Sequence, residues 1–189
     1  IGGLTTEVMD RLKKRGAVTI HEGSASRHFT FNPAELAIEL DEVVQEAKVR
    51  PFLHTRFVAP IVEESRVVAA VIEDKSGRRA IRSRYFVDAS GDGDLVARCG
   101  LPTRKDTEIQ PPTTCGIFTG LGEVRRRNPG FNLGKAVFDP QYPNALANGF
   151  LWGAEVPGIA GATMIAGTRV HGADCSDAEQ LTRAEMEGR

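Results

Sequence analysis

One stretch constrains this chain more than any other: Tyr85-Phe86-Val87 followed by Asp88-Ala89-Ser90-Gly91-Asp92-Gly93-Asp94. The first three residues are apolar and β-prone. The rest are small or acidic, and a short helix is expected from Leu95 to Cys99, stopping at Gly100. A strand that breaks into a glycine turn and restarts as a helix can bring main chain close to a ligand, because glycine has no Cβ in the way. The helix start adds N–H groups with no partner inside the helix.

Three readings of this turn can be weighed. As a calcium loop it fails: Asp88, Asp92 and Asp94 are acids, but position twelve, where an EF-hand needs Glu, is Cys99. As a place of close backbone approach it is well made, since Ala89, Ser90 and Gly91 are small. As an ordinary strand-to-helix turn it needs only Asp92 or Asp94 as a cap. Three carboxylates would repel a pyrophosphate, so their expected roles are to cap the helix or to accept from sugar or ribityl hydroxyls.

The chain leading into the turn has a readable order. Leu4, Val8 and Leu12 form an apolar stripe over a helix from Leu4 to Arg15, with Gly16 past its end. The basic residues Arg11, Lys13, Lys14 and Arg15 crowd its last turn and suit the helix dipole better than a binding patch. Short strands are expected at Ala17–Ile20 and Arg27–Phe31, with a loop over His21–Ser26. Asn32-Pro33-Ala34-Glu35 is a helix start, for a helix from Pro33 to about Ala47 that buries Leu36, Leu40, Val43, Val44 and Ala47. Phe52–Val58, Ile61-Val62 with Val67–Ile72, and Ala80–Val87 then read as a three-stranded antiparallel meander. Its turns are Glu63-Glu64-Ser65-Arg66 and Asp74-Lys75-Ser76-Gly77. Ala59-Pro60 is expected to bend the chain, with Pro60 at a sheet edge or strand start.

From Leu101 onward prolines and glycines are frequent. Strands are expected at Thr113–Thr119, Phe150–Val156 and Thr163–Val170, loop over Gly130–Asn148, and a last helix from the capping pattern Ser176-Asp177-Ala178-Glu179 toward Arg189. Arg125-Arg126-Arg127 reads as a solvated turn or helix end.

Charge and cysteine usage exclude some functions. Lys+Arg total 24 against 25 Asp+Glu, so no net field draws the chain to nucleic acid or an anionic membrane. Cys99, Cys115 and Cys175 are widely spaced and odd in number, which suits free thiols in a reducing, cytoplasmic setting rather than a disulfide or zinc framework. No metal-ligand or Ser/His/Asp pattern is present. The chain opens without Met and closes on a helical pattern, so an internal piece of a longer protein is expected.

Taken together, the Asn-Pro-capped helix, the run Leu53-His54-Thr55-Arg56-Phe57-Val58 and the meander closing on Val87-Asp88-Ala89-Ser90-Gly91-Asp92-Gly93-Asp94 resemble the FAD-dependent oxidoreductase family, glutathione-reductase-like in its FAD fold. Ala166-Gly167-Thr168-Arg169-Val170, Leu181-Thr182-Arg183-Ala184-Glu185 and Glu187-Gly188-Arg189 resemble it too. The family's N-terminal G-x-G-x-x-G and its C-terminal segment are not found here.

The resemblance implies a mixed α/β fold. Residues 1–100 would be the central part of an FAD-binding domain with its meander, and 101–189 a β-rich substrate-side region. It implies FAD contacts from the main chain of Phe57 and Val58 and from Ala89, Ser90, Gly91 and Asp92. It implies hydride transfer between FAD and a small-molecule substrate. Arg169 ends an expected apolar strand and His171 follows two residues on, a spacing that in a strand puts both side chains on one face. An arginine there can clamp an acid and a histidine can move protons. The plain alternative for that pair is a surface arginine and a turn histidine, and His54 reads as an ordinary strand histidine. The competing reading of the whole chain is a nucleotide- or protein-binding module without redox activity. A relative of tRNA-modifying flavoproteins fits the neutral charge poorly.

Overall fold

The computed structural model describes residues 2–22, 28–146 and 151–189. In chain order the elements are α1 (Leu4–Lys14), β1 (Val18–His21), β2 (His28–Phe31), α2 (Pro33–Glu46), β3 (Arg56–Glu63), β4 (Arg66–Asp74), β5 (Gly77–Arg82), α3 (Asp94–Arg98), β6 (Thr113–Thr119), α4 (Leu121–Arg127), α5 (Leu133–Val137), β7 (Trp152–Glu155), β8 (Ala162–Arg169) and α6 (Ala178–Gly188). The fold is mixed α/β with antiparallel sheets. Of the expected segments, loop residues Gly23 to Ser26, the strand starts at Arg27 and Phe150, and residues 147–148 lie outside the described residues. Two compact units form, one from 1–49 with 110–189 and one from 50–109.

In the first unit, α1 ends as its sequence demands: Arg15 is the C-cap and Gly16 follows at φ 68. Val8, Met9 and Leu12 are buried with Ala17, and Val18, Phe29, Leu36 and Val43 pack against them. Each fully buried side chain of this size stabilises by about 1.5–3 kcal/mol. Leu4, expected in the stripe, is 70% exposed and Met9 takes its place.

Helix α2 starts at Asn32, whose side chain accepts from Ala34 N at 3.0 Å and Glu35 N at 3.4 Å. The same side chain donates to Pro157 O at 3.1 Å, so one buried residue caps a helix and ties it to the chain after β7. The buried face of α2 differs from expectation. Leu40 and Ala47 are exposed, while Glu39 is 3% exposed. The face toward α1 runs through Leu36, Glu39, Val43 and Glu46, spaced three and four apart, and Leu40 falls to its flank.

The carboxylates of α2 meet two arginines of α1. Arg11 pairs with Glu39 at 3.3 Å and Glu46 at 2.6 Å, and Arg15 with Glu39 at 2.8 Å and Glu42 at 2.6 Å. Part of the basic run is therefore an interhelical clasp, and these partners push both guanidinium pKa values upward.

Strand β8 is the centre of a sheet ordered β6-β8-β7. Its pairing with β6 shifts register between Thr114 and Cys115. Asp177, not Ser176, caps α6, accepting from Gln180 N at 2.9 Å. The expected loop over 130–148 contains α5, capped by Asn132 on Lys135 N, and the three arginines at 125–127 are the last turn of α4. A five-residue helix is too short to show a period, so only its cap is a signal.

In the second unit, β3-β4-β5 is the expected meander. β3 continues as a strand through Ala59-Pro60, where the chain was expected to turn or bend, and its register with β4 shifts on either side, between Phe57 and Ala59 and between Ile61 and Val62. Pro60 is tolerated because β3 is an edge strand whose far side needs no donor. The β3–β4 turn sets Glu64 at φ 47 and Ser65 at φ 65, both left-handed, which matches the twist of a tight hairpin. β5 stops at Arg82, so Tyr85-Phe86-Val87 is not strand, and Tyr85 and Val87 are 83% and 88% exposed. The apolar run is β-prone, but no neighbouring strand pairs with it here.

Candidate functional site

The Asp88–Asp94 turn is organised by Asp88. One carboxylate oxygen accepts from Ser90 N at 3.1 Å and from the Ser90 hydroxyl at 2.7 Å. The other accepts from Leu95 N at 2.9 Å and Val96 N at 3.1 Å. The Ser90 Oγ also accepts from Asp94 N at 2.9 Å. The first three amides of α3 are thus satisfied inside the turn, where free donors had been expected. Asp92 or Asp94 was the cap of the ordinary-turn reading; of the three carboxylates expected to cap the helix or meet hydroxyls, it is Asp88, with the Ser90 hydroxyl, that caps it. They reach the helix because Gly91 at φ 91 and Gly93 at φ 69 curl the chain back on itself.

These bonds hold the Asp88 carboxyl below the usual aspartate range. The Ser90 hydroxyl is the largest cause, then Ser90 N and Val96 N, with partial desolvation opposing and Leu95 N adding. A Cβ built on Gly91 or Gly93 meets nothing within 4 Å, so the space over the turn is open.

Helix α3 is tied to β3 by Arg98, which donates to Val58 O at 3.0 Å. Val58 lies at the register shift between Phe57 and Ala59, and Phe57 pairs with Ile72. Phe57 and Val58 therefore sit in the same unit as Ala89, Ser90, Gly91 and Asp92, joined through α3.

The other candidates separate. β8 ends at Arg169, and His171 lies in the exposed turn beyond it, so a strand no longer carries both side chains to one face. Arg169 instead places its guanidinium 5.2 Å from the centroid of the Trp152 ring. His54 is exposed at φ 52, before β3 begins rather than within a strand. Among the described residues no group of three or more His, Cys, Asp or Glu can hold a metal, and no helix is long and apolar enough to cross a membrane.

Sequence reasoning counted Asp88 among three possible capping carboxylates but did not single it out, although a signal existed. Asp-x-Ser recurs at Asp174-Cys175-Ser176 before α6, with Asp174 accepting from Ser176 N at 3.0 Å and the Ser176 hydroxyl at 2.7 Å. The same three-residue bracket stands before two helices.

Over residues 1–189 the sequence matches the protein-family model for FAD dependent oxidoreductase. The chain belongs to the FAD-dependent oxidoreductase family. No curated protein and no solved structure matches it. For a member of this family, the meander and the turn at its foot are the segments the sequence resemblance points to, and both lie within residues 50–109.

Proposed function

We propose that this FAD-dependent oxidoreductase passes a hydride between a small-molecule substrate and FAD, and that the Asp88 turn with β3 is one wall of the flavin site. FAD supplies the hydride chemistry when bound; the chain's part is to hold and orient. The observation that carries the reading is the saturation of α3 by Asp88 and Ser90, beneath open space at Gly91. With its first amides taken and acids around it, the turn does not suit a pyrophosphate. It suits hydroxyl-bearing parts of the cofactor, which donate to carboxylates such as Asp92 and lie against the main chain of Ala89, Ser90 and Gly91. The main chain of Phe57 and Val58 would take the adenine side. No G-x-G-x-x-G occurs in these 189 residues, so the pyrophosphate grip is assigned outside them, and flavin retention by these residues alone is expected to be weak.

The recurrence of Asp-x-Ser before α6 favours one rival, a turn that is purely structural in a binding module without redox activity. Expression of the whole gene separates the two. A yellow protein with stoichiometric flavin absorbance is expected, with Gly91→Val lowering flavin content, because a β-branched residue at φ 91 costs about 1–2 kcal/mol. A colourless protein sinks the redox reading, and full flavin content in a folded Gly91→Val variant sinks this turn as part of the site.

A further inference from the structure

In the second unit a cavity of about 250 Å³ is lined by Arg50, Phe52, Ile72, Arg79, Ala80 and Ile81. It falls just below the range of about 300–1,000 Å³ that holds drug-sized ligands, so it suits a small occupant. Ile72 stands opposite Arg79 in the β4–β5 register and Ile81 is two residues on, so all three project from one face of the sheet. The Phe52 ring lies against both arginines: its centroid is 5.1 Å from the Arg50 guanidinium carbon and 6.0 Å from that of Arg79. The two arginines differ in their other partners. Arg79 donates to one oxygen of Asp74, whose other oxygen accepts from Ser76 N at 2.8 Å. Among the described residues the Phe52 ring is the only partner of Arg50, so none of them takes any of its five N–H donors. Glu73 and Arg78, on the opposite face of the sheet, pair with each other at 3.1 Å. Two guanidinium groups and one carboxylate thus leave a single positive charge at the cavity, carried by Arg50.

We propose that this cavity binds a small carboxylic acid with a compact apolar body. The carboxylate lies on Arg50, and the body lies against Ile72, Ile81 and the Phe52 ring. A guanidinium presents paired N–H groups at the spacing of two carboxylate oxygens. One surplus positive charge matches a carboxylate better than a phosphate monoester, which carries about −1.5 to −2 and would be repelled by Asp74. The aliphatic floor gains from covering by hydrocarbon. Arg79, fixed by Asp74, positions the ring from its other contact. The site shares no residue with the Asp88 turn and does not depend on the flavin reading.

Methyl NMR of the protein labelled at isoleucine reads the cavity floor, with Ile72→Val and Ile81→Val identifying the two signals. The protein is titrated with 3-methylbutyrate, with its uncharged amide 3-methylbutanamide, and with inorganic phosphate and AMP as competitors. Saturable shifts of both signals are expected for the acid, with the amide about tenfold weaker and neither competitor displacing the acid at equal concentration. Arg50 is exposed, so its replacement should leave the fold intact. Arg50→Met keeps an apolar stem beside the ring and should bring the acid down to the amide's level, while Arg50→Lys should keep part of the preference. No saturable shift in the parent protein overturns the proposal. So does an undiminished preference for the acid in folded Arg50→Met, and so does displacement of the acid by phosphate or AMP at equal concentration, which would make this a phosphate site. Flavin absorbance of the same preparations is read separately, so a failed titration in a yellow protein defeats only this proposal.

Discussion

Asp88 shows how a single carboxylate can replace the ligand a helix start invites. Its four acceptor contacts bracket Ser90 and the first amides of α3. All four favour the ionised form, so its folded pKa lies below the unfolded value of about 3.9. The linkage follows in sign: the stabilisation is fully present above about pH 4 and is lost as pH falls through the depressed folded value. In amide NMR spectra the Leu95 and Val96 protons should titrate together, with a midpoint below 3.9, and Asp88→Asn should remove that titration. A midpoint at or above the ordinary aspartate value would mean that the bracket does not persist in solution. The Cβ-free positions at Gly91 and Gly93 belong to the same argument, since the carboxylate reaches α3 only through their left-handed turns.

Between elements, the contact of α1 with α2 combines an apolar seam with an ionic one. Glu39 is buried and bridges Arg11 and Arg15, and each arginine keeps further carboxylate partners at Glu46 and Glu42. Removing Glu39 therefore does not strand two bare cations. It removes two charge-assisted bonds from a dry position. Glu39→Ala should destabilise the protein by about 1.5–3 kcal/mol, read as a drop in urea midpoint with unchanged slope. Glu42→Ala, at a pair whose carboxylate side chain is 47% exposed, should cost less than about 1 kcal/mol. Equal losses for the two variants would contradict the burial argument. Edge strand β3 is the matching case in the second unit, where Pro60 is accommodated by position rather than by breaking the strand.

At the scale of the whole molecule, the two units differ in how much they bury. Among the described residues, the buried apolar side chains of residues 50–109 are Ala69 and Ile72, whereas the other unit has Val8, Met9, Leu12 and Ala17 around α1 with Val156, Ala162, Ala166 and Ala184 elsewhere. Local stability follows buried apolar contact. In hydrogen exchange by mass spectrometry of these 189 residues, amides of β3–β5 should exchange at least about tenfold faster than those of α1, a gap of about 1.4 kcal/mol. Equal protection would mean that something covers the meander. On the proposed reading of the Asp88 turn as a flavin wall, added FAD should slow exchange over 88–91, because a ligand that binds only the folded state stabilises it.

The sequence by itself determined the features that depend on a few neighbouring residues. Asn32-Pro33 announced α2, Gly16 the end of α1, and the β-branched run Val67–Ile72 with its polar turns announced the meander; Thr113–Thr119 became β6 with those bounds. Caps, turns and runs are local physics, and local physics is written in order along the chain. The tertiary structure alone decided which partners meet. It buried Glu39 instead of Leu40, left Tyr85 and Val87 outside any strand, ended β8 before His171 and set Arg169 over Trp152. It also gave the Asp88 turn its meaning. Periodicity says which residues share a face but not what that face touches, and a carboxylate's role depends on which amides the folded chain brings within about 3 Å.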